Sequence, residues 1–144
     1  MSTQSYANHK QVVPLFHMVL LPLIVAALIG ACVNLYQSLG DHQRLYSASL
    51  IVAILIAMLM LFSFTRIFAL KAQDRAIRAE ENLRHFALTG KLLDPELSIQ
   101  QIIALRFASD TEFVNLAHKA AREDLSPDAI KRAVQHWRAD TYRV

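Results

Sequence analysis

The pattern of apolar and polar positions divides this chain of 144 residues into two different parts. Two stretches, 12–36 and 45–65, contain no Asp, Glu, Lys or Arg. About 20 helical residues are enough to cross the ~30 Å hydrocarbon core of a bilayer, and both stretches reach that length. The rest of the chain is too short to cover two such helices in a soluble core. We therefore predict an all-α membrane protein in which 12–36 and 45–65 are transmembrane helices.

Short polar segments flank these stretches and indicate the topology. A leader, 1–11, precedes the first stretch, and a loop, 37–44, joins the two as an antiparallel hairpin. Lys10 precedes the first stretch and Arg66 opens a run of four basic residues after the second, whereas the loop carries only Arg44. Because basic flanks favour the cytoplasmic side, both termini are predicted to be cytoplasmic and the loop to lie outside.

The helix of the second stretch is predicted to continue into the cytoplasm over 66–90, because no helix breaker occurs before Gly90. Glu80 precedes Arg84 by four residues, a spacing that favours an ion pair along the helix. Apolar residues in this extension recur at spacings of three and four: Ala69, Ala72, Ala76, Ala79, Leu83 and Phe86. The spacing is typical of a helix–helix seam, within or between subunits. The alternative is that alanine is simply common on helices.

The remainder, 91–144, shows the pattern of three short amphipathic helices, which we predict to form a cytoplasmic helical cap. Ser98 with Gln101 has the spacing of a capping box, Asp110 is a candidate cap for the next helix, and Ser126, followed by a proline, opens the last. A cap of this size is near the lower limit for independent folding. We therefore expect it to dock on the helical extension or on neighbouring subunits.

Each apolar stretch also carries a row of small or weakly polar residues four apart. The rows are Ala26, Gly30 and Asn34 in the first stretch, and Ser49, Ala53 and Ala57 in the second. Small residues at this spacing let transmembrane helices approach closely. The rows are predicted to be helix–helix interfaces, either inside the hairpin or between hairpins.

Sequence motifs of familiar enzymes, cofactors and metals are missing from this chain. It has no glycine-rich phosphate loop, no HExxH and no CxxC, its one cysteine is Cys32, and no two histidines lie three or four residues apart. We therefore predict a protein that is not an enzyme, with no catalytic, cofactor-binding or metal-binding residues. The net charge of +3 comes from outside the cap, because the eight basic and eight acidic residues of 91–144 cancel. This balance argues against nucleic-acid binding.

Three polar residues are candidates for a functional role. His17 lies inside the first apolar stretch, where an ionisable residue is costly and often functional. The alternative is an interfacial histidine whose ring is hydrogen-bonded near the headgroups. Arg106 interrupts an apolar segment, and Asp110 or Asp140 could pair with it. Such a buried pair would specify how the helices dock, with little net gain in stability.

Several segments together resemble a known family. Residues 4–10 read QSYANHK and run into PLFH at 14–17; 103–110 read IALRFASD; 130–133 read IKRA and 137–140 read WRAD. These segments resemble an uncharacterised family of small bacterial two-span membrane proteins, catalogued as a domain of unknown function. The resemblance covers nearly the whole chain. It implies a location in the bacterial inner membrane and the two-span layout, and it implies no activity.

The leading hypothesis for function is a homo-oligomeric inner-membrane protein that acts as a scaffold or membrane organiser, with the lipid bilayer and further copies of itself as partners. One alternative is a small oligomeric channel or transport accessory subunit with His17 near its cytoplasmic mouth. Another is a membrane-anchored adaptor whose cap binds a cytoplasmic protein.

Overall fold

A computed structural model describes residues 4–8 and 12–140 of the chain. Secondary structure in this part is helical, and it contains no β-strand, only a single bridge between Ala108 and Trp137. The helical segments are a π-helical stretch Leu15–Leu20, α1 Leu21–Gln37, α2 His42–Thr89, α3 Ile99–Leu105, α4 Asp110–Arg122 and α5 Pro127–Ala133. The predicted all-α class is therefore confirmed. The described part of the chain divides into a hairpin unit, Val12–Ala69, and a head unit made of residues 70–140 together with residues 4–8 of the leader.

The π-helical stretch at the start of the hairpin unit has its cause in Pro22. Proline has no N–H to donate, and in an α-helix its ring would clash with the carbonyl of the residue four positions earlier, here Met18. Just before the proline the backbone hydrogen bonds span five residues instead of four. The N–H of Leu21 donates to the carbonyl oxygen of Phe16, five residues back. A widened turn of this kind is a common way for a helix to accommodate an interruption.

Apolar side chains of the hairpin unit are mostly exposed. Leu23 in α1 is 63% exposed and Ile54 in α2 is 59% exposed, whereas Ile24, Ala31 and Ala48 are buried. The rings of Phe16 and Phe62 stack with their centroids 4.0 Å apart, which brings the start of the first apolar stretch to the end of the second. By length and composition, the helical stretches Leu15–Gln37 and His42–Thr89 could each cross a membrane.

Helix α2 runs without interruption to Thr89, as the absence of a breaker indicated. Gly90 ends it with a φ of +73°, in the left-handed region that glycine adopts at low cost. The N–H of Gly90 donates to the carbonyl oxygen of Phe86 at 2.7 Å. After this turn the chain leaves α2 and continues through residues 91–98 to α3.

The short helices of the head unit begin at side-chain caps. The capping box of α3 is confirmed: Ser98 Oγ accepts from the N–H of Gln101 at 3.3 Å, and Gln101 Oε1 accepts from the N–H of Ser98 at 2.7 Å. Ser126 caps α5 as predicted, accepting from the N–H of Ala129 at 3.2 Å. The prediction that Asp110 caps α4 is wrong. Ser109 is the cap, because its spacing to Glu112 forms a second reciprocal box.

A compact apolar core joins α3, α4 and α5. Phe113, Ala104, Leu105 and Ile130 are fully buried in it, and the indole of Trp137 packs against its edge. Phe107 is also buried, with its ring centroid 4.9 Å from that of Trp137. The head unit thus has a core of the kind that excludes water.

Candidate functional site

A cluster of ionic groups, three of them deeply buried, lies in the head unit, and we name it the charge cluster. Its members are Glu81, Arg84, Arg106, Asp110, Arg138 and Asp140. The side chains of Glu81 and Arg106 are 6% and 8% exposed, and that of Arg84 is almost as deeply buried. Burying charge is costly unless each group is paired, so these positions are held in specific arrangements.

Arg84 on α2 is the centre of the charge cluster. It donates to Glu81 Oε2 at 3.0 Å, to Asp110 Oδ1 at 2.7 Å and to the carbonyl oxygen of Ala108 at 2.7 Å. Its guanidinium also lies 4.2 Å from the ring centroid of Phe113. Only arginine offers this many donors in a planar fork, and the result fixes α2 against the start of α4.

The structure corrects one predicted ion pair and resolves another. Glu80 was expected to pair with Arg84, but Arg84 pairs instead with Glu81 and Asp110, because its guanidinium is buried next to the carbonyl oxygen of Ala108, to which it also donates. For Arg106 two acidic partners were open, Asp110 and Asp140. The guanidinium lies 3.2 Å from the carboxylate of Asp140, so Asp140 is its partner.

A cavity of about 310 Å³ adjoins the charge cluster within the head unit. It is lined by Gln73, Ala76, Ile77, Glu80, Glu81, Arg106, Arg138, Ala139 and Asp140. Gln73 Oε1 is buried and has no hydrogen-bond partner within the described part of the chain. The lining carries both signs of charge, most of it committed to ion pairs. In residues 4–8 and 12–140, no group of three or more His, Cys, Asp or Glu is placed to hold a metal ion.

Glu112 links α4 to the chain after α5. Its carboxylate accepts from the backbone N–H groups of Gln135 and His136, both at 3.0 Å, and from that of Ser109 at 3.3 Å. Partial burial alone would raise the pKa of Glu112, but the backbone donors outweigh burial and hold the pKa below its ordinary value of 4.5. A helix-capping carboxylate thereby also fastens the segment that carries Trp137.

The leader is attached to the head unit through Tyr6. Its hydroxyl donates to Asp128 Oδ1 at 2.6 Å, and the guanidinium of Arg132, bonded to the same carboxylate at 2.8 Å, lies 5.0 Å from the Tyr6 ring centroid. The Tyr6 hydrogen bond is the main reason why the pKa of Asp128 lies below its ordinary value. Gln4 bonds both backbone groups of Asp140, accepting at 2.7 Å and donating at 3.5 Å. Nothing in the sequence indicated which residues of the head unit Tyr6 and Gln4 contact.

Two of the described histidines, His17 and His85, bond to backbone carbonyl oxygens. The Nδ1–H of His17 donates to the carbonyl oxygen of Val13 at 3.0 Å, and its ring meets that of Phe16 edge-on. The functional role of His17 and the interfacial alternative both stay predictions. His85 is buried and donates from Nδ1 to the carbonyl oxygen of Lys91 at 2.7 Å. Its ring centroid lies 6.0 Å from that of His118 beside a second cavity of about 300 Å³. His85 and His118 are 33 residues apart in the sequence, so their spacing could not predict that the two rings lie close together.

Most of the predicted helix–helix interface residues are exposed in the part of the chain that the structure describes. All six small or polar residues of the two rows are exposed: Ala26, Gly30, Asn34, Ser49, Ala53 and Ala57. In the seam, Ala69 is half-buried, whereas Ala72, Ala76, Ala79, Leu83 and Phe86 are exposed. Residues outside the rows, among them Ile24, Ala31 and Ala48, are the ones that the hairpin unit buries. The interface role of the rows and the seam therefore stays a prediction.

The fold defines an all-α protein with two long apolar helices and a small helical head. The chain belongs to the family described as "Family of unknown function (DUF6526)", whose model matches residues 1–144. This confirms the resemblance to an uncharacterised family. No curated protein and no solved structure matches the chain.

Proposed function

We propose that this chain is a two-span protein of the bacterial inner membrane, with both termini in the cytoplasm, which acts as a non-enzymatic homo-oligomeric scaffold or membrane organiser. The observation that carries the proposal is the exposure of the apolar side chains in the hairpin unit. Such a surface, with no Asp, Glu, Lys or Arg over 12–36 and 45–65, would associate or precipitate in water, whereas a lipid bilayer would solvate it.

The ends of the apolar stretches support insertion in a bilayer. Tyr36 and Tyr46 are exposed on either side of the connecting loop, and aromatic residues of this kind are enriched where hydrocarbon meets headgroups. Hydroxyl groups inside the second stretch are satisfied by their own helix: Ser63 donates to Leu59 and Thr65 to Leu61. Polar side chains bonded in this way add little cost to a helix in hydrocarbon.

The ion pairs inside the head unit support a structural role for this unit. Arg84 and Arg106 are committed to carboxylates and aromatic rings that fix neighbouring helices. Groups held in this way specify how helices dock. Assembly through further copies is supported by the two rows, which have the composition of membrane helix interfaces, and by five of the six seam residues, all of them exposed in the described part of the chain.

The topology is tested by labelling single cysteines in a Cys32→Ala background. Gly40→Cys in the loop should react in intact cells with a maleimide that does not cross membranes. Gln135→Cys, which is equally exposed in the head unit, should react only after lysis. Labelling of Gln135→Cys in intact cells would contradict the proposed topology, and recovery of the full chain in water without detergent would contradict membrane insertion.

Assembly is tested by native mass measurement of the full chain in mild detergent. An oligomer is expected, and a monomer at all concentrations would contradict the proposal. The channel alternative has its own signature, a conductance in reconstituted bilayers that changes with His17→Ala. The bonding of His17 to its own helix gives that alternative no added support. The adaptor alternative would show as a cytoplasmic protein that binds the head of the full-length chain.

A further inference from the structure

The part of α2 that lies in the head unit has two opposite faces. One face is covered: Ile77, Glu81 and His85 are all buried. The other face is uncovered and includes Leu83, which is 68% exposed, and Phe86, which is 51% exposed. Two large apolar side chains that share an uncovered face, next to alanines that are also exposed, mark a surface on which another element can pack.

The spacing of this uncovered face is that of a coiled coil. When Ala76 and Leu83 are assigned to position a of a heptad, Ala72, Ala79 and Phe86 fall at position d. Alanines bring two helix axes toward the close end of the usual 8–10 Å range, and Leu83 and Phe86 supply larger apolar contacts at one end. We name these five residues the seam face.

Charges flank the seam face on both sides. In this heptad register Arg75 falls at position g and Glu80 at position e. Both side chains are exposed, and Glu80, like Ala76, also lines the cavity of about 310 Å³ described above. Neither Arg75 nor Glu80 is in an ion pair within the described part of the chain. They are five residues apart, whereas charges on one helix reach each other at three or four. Arg75 and Glu80 are therefore poorly placed to neutralise each other on one helix.

The same offset of five suits a pair of parallel helices. In a parallel coiled coil, position g of one helix lies beside position e of the following heptad on the other. Arg75 would thus lie beside Glu80 of the partner subunit, and two-fold symmetry would form the pair twice. Antiparallel helices would instead bring like charges together. The charges therefore favour a second copy of this chain in parallel register.

We propose that the seam face is a dimerisation surface, on which a second copy docks as a parallel, in-register helix with reciprocal ion pairs between Arg75 and Glu80 of the partner subunit. This inference rests on the proposed membrane scaffold, because two copies inserted alike in one bilayer present α2 in the same direction. The seam face is short for an isolated coiled coil. Anchoring of both copies in one membrane raises their effective concentration and compensates for this.

The geometry is tested by cysteine cross-linking of the full chain in membranes, in a Cys32→Ala background. Ala79→Cys lies at position d, where the two copies face each other, and mild oxidation should give a disulfide-linked dimer. The matched control is Arg78→Cys, also exposed but directed away from the seam face by one residue of helical rotation. It should give at least about tenfold less dimer, because the cysteines would be too far apart to bond.

The charges are tested by reversal. Arg75→Glu and Glu80→Arg each place like charges together, and each should slow cross-linking of Ala79→Cys by about three- to tenfold. Both reversals in one chain restore opposite charges and should restore the rate. The head fold of each variant is checked by the fluorescence of Trp137, the chain's one tryptophan.

The outcomes separate this inference from the proposal on which it rests. An oligomer in the native mass measurement, without preferential cross-linking at Ala79→Cys, would overturn the seam face and leave the homo-oligomer standing. Failure of the double reversal to restore the rate would also overturn the predicted pairing. A monomer under all conditions would overturn both.

Discussion

The hairpin unit and the head unit differ in where their apolar side chains lie. In the head unit Phe113, Leu105 and Ile130 are fully buried among α3, α4 and α5. In the hairpin unit, apolar side chains such as Leu23 and Ile54 are mostly exposed, although this unit is the more apolar of the two. A folded core stabilises a chain in water, and an uncovered apolar surface is stable only in another solvent. The difference is the main support for the proposed insertion of the hairpin unit in a membrane.

The largest expected effect is the loss of stability when a buried arginine is replaced, compared with the replacement of an exposed one. Arg84→Ala would leave the buried carboxylate of Glu81 with only Arg138, 3.7 Å away, and should lower the free energy of unfolding of the head unit by about 3 kcal/mol or more. Arg44→Ala removes an exposed pair with Asp41 in the hairpin unit and should change stability by less than about 0.5 kcal/mol. Denaturant unfolding in micelles measures both effects, with Trp137 fluorescence as the signal for the head unit and far-UV circular dichroism as the signal for the helices of the hairpin unit. Equal effects would remove the distinction between the units.

Replacing one isoleucine by alanine in each unit compares how much side-chain burial contributes to the stability of the two units. Ile102→Ala opens a cavity in the head core, where the side chain is buried, and should cost about 2–5 kcal/mol. Ile29→Ala removes the same atoms from an exposed position in α1, where detergent or lipid fills the space, so the cost should be below about 1 kcal/mol. Thermal unfolding of the two variants in the same micelles gives the comparison. A large loss for Ile29→Ala would indicate protein packing where the structure shows an uncovered surface.

An arginine introduced into the hairpin unit tests whether lipid surrounds this unit. Ile54→Arg places an arginine on the exposed face of the second apolar stretch and should raise the free energy of membrane insertion by about 3 kcal/mol. Leu92→Arg, at an equally exposed apolar position in the head unit, should leave insertion unchanged. The readout is the fraction of chain that stays with membranes after alkaline extraction. Equal retention of the two variants would count against a bilayer around Ile54.

The smallest expected effect is a dependence of head stability on pH. The pKa of Glu112 is lower in the folded chain than in the unfolded one, so its contribution is present above pH ~4.5 and is lost as the pH falls through the folded pKa. Glu112→Gln should therefore unfold with a shallower loss of stability between about pH 5 and pH 3 than the parent chain. Unfolding midpoints measured across that interval check this, and identical slopes would contradict it.

Features that depend on neighbouring residues were predictable from the sequence. The caps of α3 and α5 follow from Ser98 with Gln101 and from Ser126 with its proline, because a cap needs only three or four residues of context. The start of α4 was misplaced by one residue because Ser109 and Asp110 are both good caps. The choice between them is made by Glu112, whose side chain reaches back to the N–H of Ser109.

Most contacts between distant residues were not predictable, although Asp140 was one of the two partners considered for Arg106. Tyr6 meets Asp128 across 122 positions, and Arg84 meets Asp110 across 26. Periodicity reports which face of a helix is apolar, and it carries no information on which polar groups meet once the faces have packed. The interface role of the small-residue rows stays a prediction, since the residues that the hairpin unit buries within one chain, among them Ile24 and Ala48, lie outside the rows.

The widened turn before Pro22 affects how the first apolar stretch can be aligned and engineered. One extra residue in Leu15–Leu20 rotates every earlier side chain about the helix axis by about 100° relative to an unbroken α-helix. With this rotation, the ring of Phe16 contacts that of Phe62. A helical wheel drawn through the whole stretch would therefore assign Phe16 to the wrong side. Relatives without the proline should align only with a one-residue gap in this turn, and deletion of Met18 together with Pro22→Ala should keep the aromatic stack intact.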